Sequence, residues 1–200
     1  MERPGLAAAI GCVSGAVLVL ALLGVLDTSA YAVVLMLVAV RCTAAVVDAD
    51  AGGLRHAAVA AVPLATLAAI GALRSGSAAL EGIRGANAVL GPAIATRPGL
   101  LAAAAALAGI AVLATAPTAE RAAGLARSLE VVARIGAALF VTTVIVGPTL
   151  DGPKTLPVWT ASLVAVCGAM LLAASIRPRR LVILAAMGAS AGSLLLGALA

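Results

Sequence analysis

The sequence predicts an all-α fold, a polytopic transmembrane helical bundle of about seven spans, and three observations predict it. Hydrophobic residues make up 64% of the 200-residue chain and charged residues only 10%, against roughly 45–50% and 25% in soluble domains. The apolar residues run in seven stretches of 16 to 21, close to the length that crosses a hydrocarbon layer about 30 Å thick at about 1.5 Å per residue. Nearly all the charges fall between those stretches. A mean hydropathy of +1.20 leaves too little polar surface for water, so lipid is the expected solvent.

In chain order the spans are 6–26, 30–47, 57–73, 99–115, 131–146, 158–175 and 181–199, within one transmembrane domain covering 1–200. The shorter ones cross by thinning the bilayer or by packing against longer neighbours; the count ranges from six to eight. The first, behind Arg3, exceeds the roughly 7–15-residue core of a secretory signal and reads as an uncleaved helix. Pro63 in the third is expected to kink it and to leave one backbone carbonyl for a neighbour.

Between the third and fourth spans lie the twenty-five residues Arg74 to Pro98, and an interfacial or re-entrant helix is expected near 76–96. Leu80, Ile83, Ala86, Leu90 and Ile94 form an apolar stripe at helical spacing, with Glu81 and Arg84 to one side. Asn87 falls on that stripe, where an amide facing lipid would lack a partner. Gly91-Pro92 would end the helix. Three arrangements stay open: a helix flat on the membrane, a re-entrant element covered by protein, and an eighth span.

Orientation follows from the basic residues of short loops, which stay cytoplasmic. With the N-terminus inside, the inner segments carry Arg3, Arg55, Arg121, Arg127, Arg177, Arg179 and Arg180, and the outer ones Arg74, Arg84, Arg97 and Lys154. This balance predicts a multi-pass protein of the cell (inner) membrane with a cytoplasmic N-terminus. The net charge of +5 reflects the same bias; with one Trp, one Tyr and one Phe and no dense basic cluster, nucleic acid is not an expected partner. Arg177, Arg179 and Arg180 suit anionic lipid head groups.

Ionisable groups inside a bilayer are costly, at least about 2.5–3.5 kcal/mol at its centre, and mark sites. Arg41 lies two turns from the end of its span, with Asp48 seven residues on and on the same helical face. It either snorkels, paired with Asp48 or a lipid phosphate, or pairs with another helix or subunit; an ion-path role is the remaining alternative. Glu130 and Arg134 stand in the favourable i,i+4 order, with Arg127 three residues before. The two guanidiniums would hold Glu130 ionised at the mouth of the fifth span.

No other acidic or lysine side chain lies mid-span, an arrangement unlike that of proton pumps and transporters. His56 stands alone beside Arg55, and Cys12, Cys42 and Cys167 are scattered. They make no metal-ligand spacing. The cysteines read as small buried hydrophobes. No nucleophile elbow or phosphate-binding loop is present. No catalytic residue, cofactor or metal is expected. Small-residue spacing is plentiful, however: Gly11 and Gly15 in the first helix, and Gly188 and Gly192 in the last, form GxxxG patterns. These serve either internal packing or contact with another subunit.

Ala138-Leu-Phe140, Gly147-Pro148, Leu156-Pro157-Val-Trp159 and Arg177-Pro-Arg-Arg180 give the last third of the chain an order of helix, Gly/Pro loop, helix and Arg-Pro-Arg turn. In that order residues 138–200 resemble the end of the membrane subunit that borders the quinone site in respiratory complex I, and its counterpart in membrane-bound hydrogenases. That family's acidic cytoplasmic loop and its signature near the first helix have no counterpart here, so no functional residue is carried over. The resemblance implies a subunit of a respiratory or ion-translocating assembly. Small size, absent catalytic groups and helix faces rich in small residues suit a non-catalytic subunit among other membrane subunits in the lipid bilayer. The alternative is a small stand-alone transporter or permease, which needs a polar cavity near mid-membrane.

Overall fold

The computed structural model describes residues 3–22, 25–47, 51–114, 124–147, 160–169 and 179–199. They are helical almost throughout: α1 (Arg3–Leu22), α2 (Ala30–Val47), α3 (Ala51–Ser75), α4 (Leu80–Leu90), a 3-10 turn (Ala93–Ala95), α5 (Arg97–Ala114), α6 (Gly124–Val146), α7 (Thr160–Ala169) and α8 (Arg179–Leu199). Four helices are long and apolar enough to cross a membrane, at Ala30–Val47, Gly52–Ser75, Gly124–Val146 and Arg180–Leu199. Shorter apolar helices lie at Ala8–Leu22, Arg97–Ile110 and Thr160–Ala169, so each expected span overlaps an apolar helix in its described part. The model therefore supports a membrane protein.

Backbone hydrogen bonds set the relative directions of the helices. Ala30 N–H donates to the Ala78 carbonyl and Leu80 N–H to the Thr28 carbonyl, at 2.8 and 2.9 Å, which places the start of α2 beside the end of α3. Arg84 reaches the Leu22 carbonyl, Asn87 the Val144 carbonyl and Ser193 the Pro98 carbonyl. The ends of α1, α3, α6 and α8 thus lie with the starts of α2 and α5. We call this the cap end, because α4 lies across it, and the opposite one the ion-pair end. α3 is the central helix, touching α2, α4, α5, α6 and α8. α1 packs on α2 and α6.

The main core gathers Leu18, Leu37, Leu64, Leu67, Ile110, Phe140 and Val144. With so much Ala and Gly the helix backbones approach closely, which is how membrane helices gain packing energy. Gly11 is the clearest case: a Cβ there would come within 2.7 Å of Thr43 Cγ2 and 3.0 Å of Leu129 Cδ1, so α1 meets α2 and α6 with no room for a side chain. α3 stays helical through Pro63, whose ring is fully buried and seats against Gly109 of α5. A Cβ at Gly109 would lie 3.0 Å from Pro63 Cγ.

α4 is where the expected stripe needs correcting. Leu80 and Ile83 are buried, as the spacing predicts, and Ile83 reaches between α3 and α6 near Gly71 and Val144. Leu90 and Ile94, however, are exposed. The third buried position is Asn87. It faces the bundle, because two polar partners wait there and no lipid has to solvate the amide. Both ends of α4 bond to groups at the cap end.

Candidate ion-pair and cap sites

Arg41 and Glu130 meet across α2 and α6. α6 begins at Gly124, earlier than the apolar run suggests, because Leu125, Ala126 and Leu129 continue the helical pattern through its charges. Glu130 therefore lies about 9 Å along the helix from its first residue, inside the bundle and not at the mouth of a span. α2 runs the opposite way, so Arg41, six residues before its last residue Val47, sits at a matching depth. Arg41 Nη2 lies 3.2 Å from Glu130 Oε1. Arg134 Nη2 approaches the same oxygen at 3.4 Å, one turn along α6.

The two guanidiniums are held differently. The Arg41 side chain is 4% exposed, whereas that of Arg134 is 31% exposed. Val40, Ala44, Leu129 and Ala133 make a small apolar cluster around the pair. In such surroundings attraction is strong but desolvation is costly, so the pair stabilises only while both members are present. Arg41 Nε, Arg134 Nε and Arg134 Nη2 are buried without a hydrogen-bond partner; the contact of Arg134 with Glu130 is ionic, off hydrogen-bond geometry. Two guanidiniums against one carboxylate leave the cluster one positive charge in excess.

Of the other residues singled out in the sequence, Arg127 stays exposed on α6 and does not join the cluster. Asp48 lies outside the described residues; Arg41 takes its carboxylate from Glu130. A narrow crevice of about 10 Å³ between α2 and α3, lined by Leu37, Val38, Arg41, Ala57, Ala60 and Leu64, has room for about one water molecule. His56 Nδ1 is buried without a partner. Among the described residues no His, Cys, Asp or Glu group has the arrangement of a metal site. The cysteines are not buried: Cys12 and Cys167 are exposed and Cys42 partly so. A thiol is apolar enough to lie on an outer helix face as well as in a core.

A second polar cluster, at the cap end, has no charge partner among the described residues. Arg74, near the end of α3, donates to Asn87 Oδ1 at 3.0 Å, to the Leu90 carbonyl at 2.9 Å and to the Gly91 carbonyl at 2.7 Å. Asn87 in turn donates to the Val144 carbonyl at 2.9 Å. The last carbonyls of a helix lack intrahelical partners and carry partial negative charge, and a guanidinium answers both needs. The cluster thereby ties the ends of α3, α4 and α6 together. Gly147 closes α6 with φ +99°, and a Cβ there would fall 2.6 Å from that of Asn87, so only glycine lets the buried amide approach. The signal in the sequence is Asn87 itself, a polar residue on an apolar stripe; nothing in the spacing marks its partner Arg74 as more than a loop charge.

The two GxxxG patterns separate. Gly11 and Gly15 are buried in the bundle, Gly15 facing Val132. Gly188 and Gly192 have open space where a Cβ would stand. α8 instead presents Ala186, Ser190, Ser193 and Gly197 inward. The remaining buried hydroxyls mostly answer their own helix: Thr43, Thr66, Thr142 and Ser190 each donate to the carbonyl four residues back. No family model, curated protein or solved structure matches this chain.

Proposed function

We propose that the chain is a non-catalytic integral membrane subunit of a larger membrane complex, with seven spans and α4 lying in the membrane interface. The observation that carries this reading is the outward Gly188 and Gly192 of α8, with Leu184 and Leu195 exposed on either side of them. Small residues with open space before them let another helix approach closely. The resemblance of 138–200 supports a respiratory or ion-translocating assembly of the complex I or hydrogenase kind. The basic bias of the inner segments supports a cell-membrane location with the N-terminus, and with it the ion-pair end, on the cytoplasmic side. A stand-alone permease would need polar groups turned toward a path; hydroxyls bonded to their own helices offer little to a substrate.

Gentle extraction into nanodiscs followed by native mass analysis tests the proposal. Co-migration with other membrane proteins, reduced when Gly188 and Gly192 are both replaced by Leu, is the expected result. Recovery as a monomer alone would sink the subunit reading. Cytoplasmic labelling of a cysteine placed at Lys154 would overturn the orientation.

A further inference from the structure

The excess positive charge at the ion-pair end falls on the more exposed of its two guanidiniums. Arg41 and Glu130 form a neutral buried pair, which leaves Arg134 as the surplus cation, and Arg134 is the loosely held member. Its 3.4 Å approach to Glu130 lacks hydrogen-bond geometry, and its Nε and Nη2 have no acceptor. An outward swing of its side chain would leave the Arg41 contact at 3.2 Å intact. Arg127 stands seven residues earlier on the same face of α6, about 10 Å nearer the helix start, and is exposed. Val131 and Ile135 flank Arg134 on this face at 47% and 56% exposure.

We infer that Arg134 and Arg127 form a site for a phosphate group, carried by an anionic phospholipid whose acyl chain runs along Val131 and Ile135. The depth suits a head group at Arg127, about 5 Å from the start of α6, and Arg134, about 10 Å deeper, reaches back toward it because helix side chains lean toward the N-terminus and the arginine stem is long. The chemistry suits phosphate, because a guanidinium fork presents paired N–H donors to phosphate oxygens. Asn and hydroxyl side chains, which a neutral head group would use, are absent from this face apart from Ser128, whose hydroxyl donates to the Gly124 carbonyl. The inference stands whether or not the protein has subunit partners.

The test is reconstitution into nanodiscs of equal parts phosphatidylcholine and phosphatidylglycerol, with lipids retained after mild delipidation counted by native mass spectrometry. The wild type is expected to retain phosphatidylglycerol over phosphatidylcholine, and Arg134→Gln and Arg127→Gln each to lower that preference about fivefold. Arg134→Gln keeps the Arg41–Glu130 pair and should unfold in phosphatidylcholine nanodiscs at the wild-type temperature; Arg127→Gln, on an exposed residue, gives a second reading if it does not. Inorganic phosphate added to phosphatidylcholine nanodiscs separates the sources. Competition with retained phosphatidylglycerol supports a phosphate site filled by lipid, while thermal protection by phosphate alone, with no lipid preference, overturns the lipid assignment. Equal retention of both lipids by the wild type, or an unchanged preference in both variants, overturns the site. So does loss of a protein partner instead of lipid in Arg134→Gln.

Discussion

The two ends of the bundle each bury polar groups around an arginine, yet they satisfy it by opposite means. At the ion-pair end Arg41 is answered by a full charge, Glu130, inside an apolar cluster. At the cap end the partners of Arg74 among the described residues are neutral dipoles: an amide oxygen and two carbonyls at the end of a helix. The first arrangement is stiff and all-or-none, because removing either charge strands the other away from water. The second is graded, since each hydrogen bond lost to a neutral group costs on the order of 1 kcal/mol and the half-buried guanidinium can turn to water. Charge pairing fixes which helices meet, and dipole pairing trims how their ends finish.

The largest expected break is at the charged end. Glu130→Ala leaves two guanidiniums without their carboxylate and should cost about 3–5 kcal/mol, read from the denaturant midpoint of the reconstituted protein by circular dichroism. A midpoint equal to wild type would show that the pair contributes nothing. The double replacement Arg41→Met with Glu130→Leu sharpens the point, because it removes both charges and should recover most of that loss. Next comes Asn87→Ala, which strips the Val144 carbonyl and Arg74 of a buried partner at once and should cost about 2 kcal/mol by the same measurement.

Arg74→Gln should cost about 1 kcal/mol, and its effect should be local. Hydrogen exchange should quicken around Gly91 to Ala95 and stay unchanged around Arg41; spread of the change to both ends would contradict the contrast between them. The smallest effect is expected from Arg134→Gln, below about 1 kcal/mol, since that contact is poorly aligned and Arg41 still answers Glu130.

The all-helical membrane class was legible in the sequence because lipid imposes one demand, length at high hydropathy, and four helices among the described residues meet it. The helix ends were less legible. α6 begins at Gly124 and not at Val131 because charged residues can sit inside a helix once they pair, and hydropathy reads only the charge. The Arg41–Glu130 pair was within reach: antiparallel order puts the end of the second span and the start of the fifth on one side, which sets both residues at one depth. Sequence spacing shows same-helix neighbours such as Asp48 and hides partners across the bundle. The reach of Arg74 to Gly91 was hidden for a different reason, since it depends on α4 folding back over the end of α3. The cysteines show a further limit: helical position does not say which face meets lipid.

The seat of Pro63 against Gly109 links the two positions in any lineage that carries this fold. A side chain at 109 meets a rigid ring at 3.0 Å and should be rejected while the ring is there. Once 63 becomes alanine, the same side chain enters an empty seat and helps refill it. Substitution at these sites thus has an order, with the proline lost before the glycine can change.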